Sequence, residues 1–445
     1  MSSAQSPVSP DAVLDHVRPN MDLVVPLANG EPVAVLDALE AAQADLVDVR
    51  VHQMHALQER PYLRGAYGDR LRHVSYFLSA ATREAYWNGE IDLVPSNFSE
   101  MPALLRTRRQ PLVLAAASPP DAYGLFTLGT NADYAAALIG EMPFFLEVNE
   151  HMPRTFGLNQ IHVSQVVGWT RADRRLVAVD PAAPDERDQA IAARVVERIP
   201  NGATLQVGIG GVPNALMAAL RDHRDLGIHT ELVSDGILDL VERGVVTGTR
   251  KQERPHKVVA TFALGTQRLY DWLHDNGAVE MLPVDFVNDP RVISRERDFI
   301  SINATTEVDL MGQCASETIA GRYWSSSGGQ ADFARGAMWS PGGKGFIVLR
   351  STTSSGRSRI RAQLTRGSAV TTIKNTVDHV VTEWGVARLR GHSIAGRARA
   401  LIDIAHPDHR EELAREATEL GLLPVRRAWM ARSDARRERP SAPSG

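Results

Sequence analysis

The stretch Thr204 to Gly236, TLQVGIGGVPNALMAALRDHRDLGIHTELVSDG, joins an apolar run, a glycine turn, a helix-period segment and a second apolar run. Gly208, Gly210 and Gly211 can take positive φ and leave their backbone N–H groups uncovered. Pro213 suits the first turn of the helix that follows, where its missing N–H costs nothing. Such a helix start offers free donors and partial positive charge to a ligand. The spacing is G-x-G-x-x-P rather than a dinucleotide fingerprint, and no Gly-Lys-Ser/Thr follows, so it is not a P-loop. Two readings stay open on the motif alone: a ligand-facing turn, or a tight strand-to-helix turn with no ligand. A crossover through one helix sets the IHTELVSDG strand beside the glycine-loop strand. Glu231 then lies in a largely apolar strand near the loop, where burial raises a carboxylate pKa and N–H donors lower it. A lone Glu in a strand is otherwise a paired structural residue, and His229 reads as a hydrogen-bonding neighbour rather than a base. No H-x-x-x-H or H-E-x-x-H spacing points to a metal.

Outward from that stretch the pattern repeats. QPLVLAAASPPDAYG, KVVATFALG, KGFIVLRS and VDHVVTEWG are apolar runs closed by glycine or Ser-Pro. Between the strands lie the helical candidates DQAIAARVVERI, PNALMAALRDH and GILDLVERG. This alternation predicts an α/β protein built as two open α/β domains with mainly parallel sheets. The Pro-, Ala- and charge-rich DPAAPDERDQ near Asp180 reads as the linker. The expected division is residues 1–185, then 186–430, with a frayed tail over 431–445. Ligands in open α/β sheets sit beyond the carboxyl ends of strands. Most glycine-bearing loops lie in the second half, so the active region is read from there.

A second constellation is SINATTEVDLMGQC, followed by SSSGGQADFARGA. Gly328 and Gly329 form another exposed backbone turn beside Gln330 and Asp332. Glu307 and Asp309 alternate with Val308 and Leu310 as on a half-buried strand, and Glu307 is the rival reactive carboxylate. Cys314 has no His partner in the pattern and reads as a small buried thiol. The chain of 445 residues carries a net charge of −4, which gives no reason to expect nucleic acid or an anionic membrane as partner. Its single cysteine rules out an internal disulfide and points to a reducing compartment. The N-terminus has no signal-peptide pattern and no run is long enough to span a membrane, so cytoplasm is the expectation.

Taken in order, these motifs resemble the acetyl-CoA hydrolase/transferase family, in particular its 4-hydroxybutyrate CoA-transferases of the class I type. LVPSNFSEMP, ASPPDAYGLFTLGT and EVNEHMPRTFGLNQIHVS carry the likeness in the first half. LQVGIGGVPNAL, LGIHTELVSDGILDLVERGVV, FALGTQRLYDW, PVDFVNDPRV, INATTEVDLMGQ, GGQADFARGA, VVTEWGVARLRG and RARALIDIAHP carry it in the second. The resemblance implies a CoA-transferase that exchanges CoA between acetyl-CoA and a short acid such as 4-hydroxybutyrate. It makes Glu231 the nucleophile, forming a glutamyl-CoA thioester, and weakens Glu307, whose position relatives often fill with Gln. It assigns CoA contacts to Gly208, Ile209, Gly210, Gly211 and Val212, and further ones to Thr306 and Gly329. Gly328, Gln330 and Asn303 are placed around the oxyanion or substrate. CoA is a substrate rather than a resident cofactor, no metal is implied, and a homo-oligomer is plausible for the family. Two departures bear on the substrate: WSSSGG before QADF, and Arg388 in ARLRG. An acyl-CoA hydrolase and a non-catalytic CoA-binding regulator are the alternatives, with a NAD-linked dehydrogenase disfavoured by the loop spacing.

Overall fold

The run Leu112–Ala117 is apolar at every position and buried at every position. A strand with no polar face must be covered on both sides. In the computed structural model, which describes residues 6–424, it lies third in a seven-stranded sheet. Across that sheet run Val166–Ala172, Phe144–Asn149, Leu112–Ala117, Asp22–Val24, Val49–Gln53, Leu71–Ser75 and Asp92–Leu93. Every pairing in it is parallel. The tail expected over 431–445 lies outside the described residues.

A nine-stranded sheet follows. Its order is Gly385–Arg388, His379–Thr382, Lys344–Val348, Phe299–Ala304, Thr204–Val207, Gly227–His229, Val258–Ala260, Val279–Met281 and Phe156–Gly157. All pairings are parallel except the hairpin of the first two. The helices Glu186–Val196, Gly211–Ala219 and Asp235–Glu242 form where the helical period places them. Asp185 caps the first, accepting from the Asp188 N–H at 3.0 Å. The strand Phe156–Gly157 comes from the first half yet edges the second sheet, so it reaches across the boundary expected at residue 185. One buried apolar cluster runs continuously from Val24 and Val113 to Ile300 and Phe346. Among the described residues no helix is long and apolar enough to cross a membrane.

Strand order fixes where a ligand can sit. After the edge strand Phe156–Gly157, the chain returns to the second sheet at Thr204–Val207, steps outward through Gly227–His229, Val258–Ala260 and Val279–Met281, then comes back on the other side as Phe299–Ala304. Connections leave these two central strands in opposite directions. That switch opens a crevice beyond their carboxyl ends.

The three loop glycines do different jobs. Only Gly210 has positive φ, at 122° with ψ −175°, a region open essentially to glycine alone. Gly211 is glycine for packing: a Cβ there would lie 2.1 Å from Asp188 Oδ2. Arg350 holds that carboxylate in place, at 2.9 and 2.7 Å. A Cβ on Gly208 would meet nothing within 4 Å. Of the three glycines that can take positive φ, only Gly210 does so.

Candidate active site

A cavity of about 300 Å³ occupies the crevice. The second half lines it with Val207, Gly208, Ile209, Glu231, Asn303 and Ala304, and with the turn Ser325 to Gln330. The first half closes it with Leu27, Met54, His55, Phe77 and Phe98.

Glu231 sits at a bend rather than in a strand. The strand Gly227–His229 stops short of it, and Leu232–Val233 pairs in a separate two-stranded sheet. Its carbonyl accepts from the N–H groups of Thr261 (3.2 Å) and Phe262 (3.0 Å), which pins the backbone. The carboxylate is thereby freed from the sheet face and enters the cavity. Asn288 Nδ2 donates to its Oε2 at 2.9 Å. A Cβ on Gly329 would stand 2.0 Å from the same oxygen, so the double-glycine turn lies directly against it. Protein atoms crowd Glu231 on all sides, although the cavity leaves part of its surface open. Burial pushes its carboxyl up to about 7, against the opposing pull of the Asn288 amide and the Gly329 backbone.

Gly328, Gly329 and Gln330 form the entry to the helix Gln330–Trp339, whose N-cap is Gly329. The Gln330 side chain points away, donating to Thr372 Oγ1 at 3.0 Å. What Gln330 presents near Glu231 is backbone at a helix start, a favourable place for developing negative charge. Asn303 lines the cavity, but its amide is engaged: it donates to Gln206 Oε1 at 3.1 Å and to Ser301 Oγ at 2.9 Å. Its Oδ1 accepts from Gln206 Nε2 at 3.2 Å. Ile209 is 63% exposed and marks the mouth. Gly210, Gly211 and Val212 stand behind it in the helix start, off the cavity wall. Thr306 is also off this wall; its hydroxyl lies 2.5 Å from Ala315 O and 2.8 Å from Thr318 O, and it faces a smaller neighbouring cavity.

The rival groups are drawn elsewhere. Glu307 lines that neighbouring cavity and is held by Thr365, Ser368 and Arg361. Asp309 accepts from the Met311 and Gln313 N–H groups and is a turn residue. His229 bonds Val287 O at 2.8 Å, and burial pushes its imidazole down to about 3, so it stays neutral beneath the sheet. Cys314 is fully buried, and desolvation drives its thiol pKa up. Arg388 lies exposed on the edge strand, away from the cavity. It does not shape the pocket, whereas Ser325, Ser326 and Ser327 do.

Three contributors escaped the sequence reading. Asn288 ends the short helix Val284–Val287, where a bare Asn-Asp pair signals only a cap. The apolar wall from the first half was not anticipated, since the glycine loops pointed to the second. Asp332 was noticed but given no role. It accepts from Ser99 N–H at 3.1 Å and Ser99 Oγ at 2.9 Å, while Phe98 N–H donates to Gly328 O at 3.0 Å. These bonds fasten the first-half loop onto the double-glycine turn. Desolvation pushes Asp332 up to about 7, reinforced by the charge of Glu231.

Models of the acetyl-CoA hydrolase/transferase N-terminal and C-terminal domains match residues 5–184 and 265–417. The chain is 43% identical to a succinyl-CoA:cyclohexane-1-carboxylate CoA transferase of Geobacter metallireducens, over 94% of this chain and 95% of that one. It is 39% identical to a 4-hydroxybutyrate coenzyme A transferase of Clostridium kluyveri, over 92% and 96%. The crystal structure of RipA from Yersinia pestis superposes with a TM-score of 0.88 at 34% identity, covering 94% of this chain and 98% of that one.

Proposed function

The chain belongs to the acetyl-CoA hydrolase/transferase family and is a CoA-transferase, from which we propose that it works through a CoA thioester on Glu231. In the proposed reaction CoA passes between acetyl-CoA and a short carboxylic acid such as 4-hydroxybutyrate. The observation that carries this reading is the Glu231 carboxylate, held at a strand-end bend, open to a cavity, and given one side-chain hydrogen bond.

The steps need no outside acid or base. A Glu231 oxygen attacks the thioester carbonyl of the acyl-CoA; the C–S bond breaks and CoA leaves as thiolate, giving a mixed anhydride. The thiolate sulfur then attacks the glutamyl carbonyl, and the acyl group departs as its carboxylate. The acceptor acid runs the same steps in reverse and leaves as the new acyl-CoA. One hard exchange becomes several easier ones. Retaining CoA in the cavity makes the thiolate step unimolecular, with effective molarities on the order of 10⁵–10⁸ M for well-placed groups.

Each tetrahedral intermediate carries an oxyanion. Backbone N–H groups of Gly208–Ile209 and of Gly328–Gln330 are the proposed donors, one such donor being worth roughly 3–4 kcal/mol. The pantetheine arm enters past Ile209, with Gly210, Gly211 and Val212 supporting the loop from behind, and Thr306 meets CoA beyond the Asn303–Ala304 wall. Desolvation keeps Glu231 more basic than an exposed carboxylate, which favours attack once it is ionised. We place the reaction in the cytoplasm, supported by a single buried cysteine and no disulfide.

Initial rates with acetyl-CoA and a short acid test the mechanism. Parallel double-reciprocal lines are expected, with little free CoA released when the acid is left out. Equal CoA release with and without the acid, and no new thioester, would make the protein a hydrolase.

A further inference from the structure

Asn288 is out of keeping with its setting. It follows the short helix Val284–Val287 as its C-cap and is fully buried, yet its Oδ1 meets no hydrogen-bond partner among the described residues. A buried amide that served only to hold the fold would have both ends satisfied. The other end is turned on Glu231: Nδ2 donates to Oε2 at 2.9 Å. That amide has little freedom to point elsewhere. A Cβ on Gly329 would stand 2.3 Å from Nδ2, so the double-glycine turn closes over it.

The helix that carries Asn288 is tied at both ends. Val284 N–H donates to Asp133 O, in the first half, at 2.9 Å, and Val287 O accepts from His229 Nε2 at 2.8 Å. His229 precedes Glu231 by two positions, at the end of the strand Gly227–His229. The amide and the carboxylate are thus held in register by a bond between the two segments that carry them. Among the described residues no side chain donates to Glu231 Oε1.

The two oxygens therefore have different surroundings, and the reaction gives them different fates. The oxygen that attacks the acyl carbonyl becomes the anhydride bridge, and it leaves with the acyl group when the thiolate sulfur attacks the glutamyl carbon. The other oxygen stays on that carbon throughout. It takes the negative charge whenever the carbon becomes tetrahedral: when thiolate displaces the acyl carboxylate, and again when the acceptor carboxylate displaces thiolate. An oxygen already bonded to a fixed amide is the better place for that charge. The oxygen without such a donor is the better nucleophile.

We propose that Asn288 is a catalytic residue: its Nδ2–H adds a side-chain donor to the backbone amides when the oxyanion forms on the glutamyl carbon. The inference rests on the CoA-transfer reading above.

The thioester half-reaction isolates this role. Wild-type and Asn288→Ala protein are loaded with acetyl-CoA, freed of small molecules and mixed with acetate, and rapid quenching reads the acetyl-CoA formed. The first-order rate constant does not depend on how much of the protein is folded. In the thioester Glu231 has no carboxyl group to ionise, so a residue that only tuned its pKa would leave the attack on it untouched. Asn288→Ala should be about 100-fold slower, the usual cost of one oxyanion donor. In Asn288→Asp the rate should fall as pH rises, because a carboxyl group donates only while protonated. Asp332, whose charge acts on Glu231, and His55 on the cavity lining are the same in every variant, so any titration of theirs is common to all. Should Asn288→Ala not take up CoA, the Asn288→Asp profile decides. An Ala variant within about threefold of wild type, or an Asp profile parallel to wild type, overturns the inference while leaving CoA transfer intact. Failure of the wild-type protein to form any CoA thioester overturns the transfer reading and this inference together.

Discussion

Glu231 and Glu307 are the same residue in neighbouring settings of the second half, and their surroundings could hardly differ more. Glu307 lies on the strand Glu307–Asp309 and is 8% exposed. Its Oε1 accepts from the Thr365 N–H at 2.9 Å and Ser368 Oγ at 2.8 Å; its Oε2 accepts from Thr365 Oγ1 at 2.7 Å and faces Arg361 at 3.8 Å. Glu231 has the Asn288 amide, the Gly329 backbone and a cavity. A carboxylate surrounded by donors is a structural tie. One that the fold leaves under-satisfied, at the carboxyl end of a central strand, keeps a lone pair for chemistry.

The widest separation between the two should come from removing each charge. Glu231→Gln should lower the transfer rate at least about 10³-fold, as loss of a covalent nucleophile does. A variant retaining more than a tenth of wild-type turnover would erase the contrast. Gly329→Ala comes next, because its Cβ would stand 2.0 Å from Glu231 Oε2 and 2.3 Å from Asn288 Nδ2. Displacing the nucleophile and the helix-start donors should cost about 100-fold in kcat, comparable to losing one oxyanion donor. Steady-state kinetics at saturating acid reads this.

The pH dependence refines the contrast. The Glu231 pKa rises from 4.5 to about 7, so kcat/KM should climb with pH up to about 7 and level off above it. Between those two values the folded chain holds a proton that the unfolded chain has lost. Stability from this group therefore falls as pH rises from 4.5 to about 7 and falls no further above. Urea melts should show Glu231→Gln more stable than wild type by on the order of 2 kcal/mol at pH 8, with the gap closing near pH 4. A variant less stable at both pH values contradicts the burial argument. The smallest activity effect belongs to Glu307→Gln. It strands Arg361 and loosens Thr365 and Ser368, so the melt should lose about 1–3 kcal/mol while transfer stays close to wild type.

Much of this was legible in the sequence because it depends on local periodicity. TLQV and LVLAAA read as buried strands, and the alternation of such runs with helical segments pointed to mainly parallel sheets. Glu231, Gly208, Gly328 and Gly329 meet in one cavity because all stand at strand or helix ends on one edge of one sheet. The rest depends on long-range contacts that carry no local signature. Ser99 reaches Asp332 across 233 residues, and Asn288 meets Glu231 across 57. Thr306 follows Asn303 closely in sequence, but the strand Phe299–Ala304 ends between them and the chain turns toward Ala315 and Thr318. Glu231 itself was expected within a strand. Its two backbone hydrogen bonds to Thr261 and Phe262 explain why the chain bends there.

The decisive experiment is to treat the protein with acyl-CoA alone, reduce with borohydride, digest, and locate the modified residue by mass spectrometry. A CoA thioester at Glu231, converted by reduction to the corresponding alcohol and missing from Glu231→Gln, is the expected result. A CoA adduct that persists in Glu231→Gln, or that maps to Glu307, would contradict it.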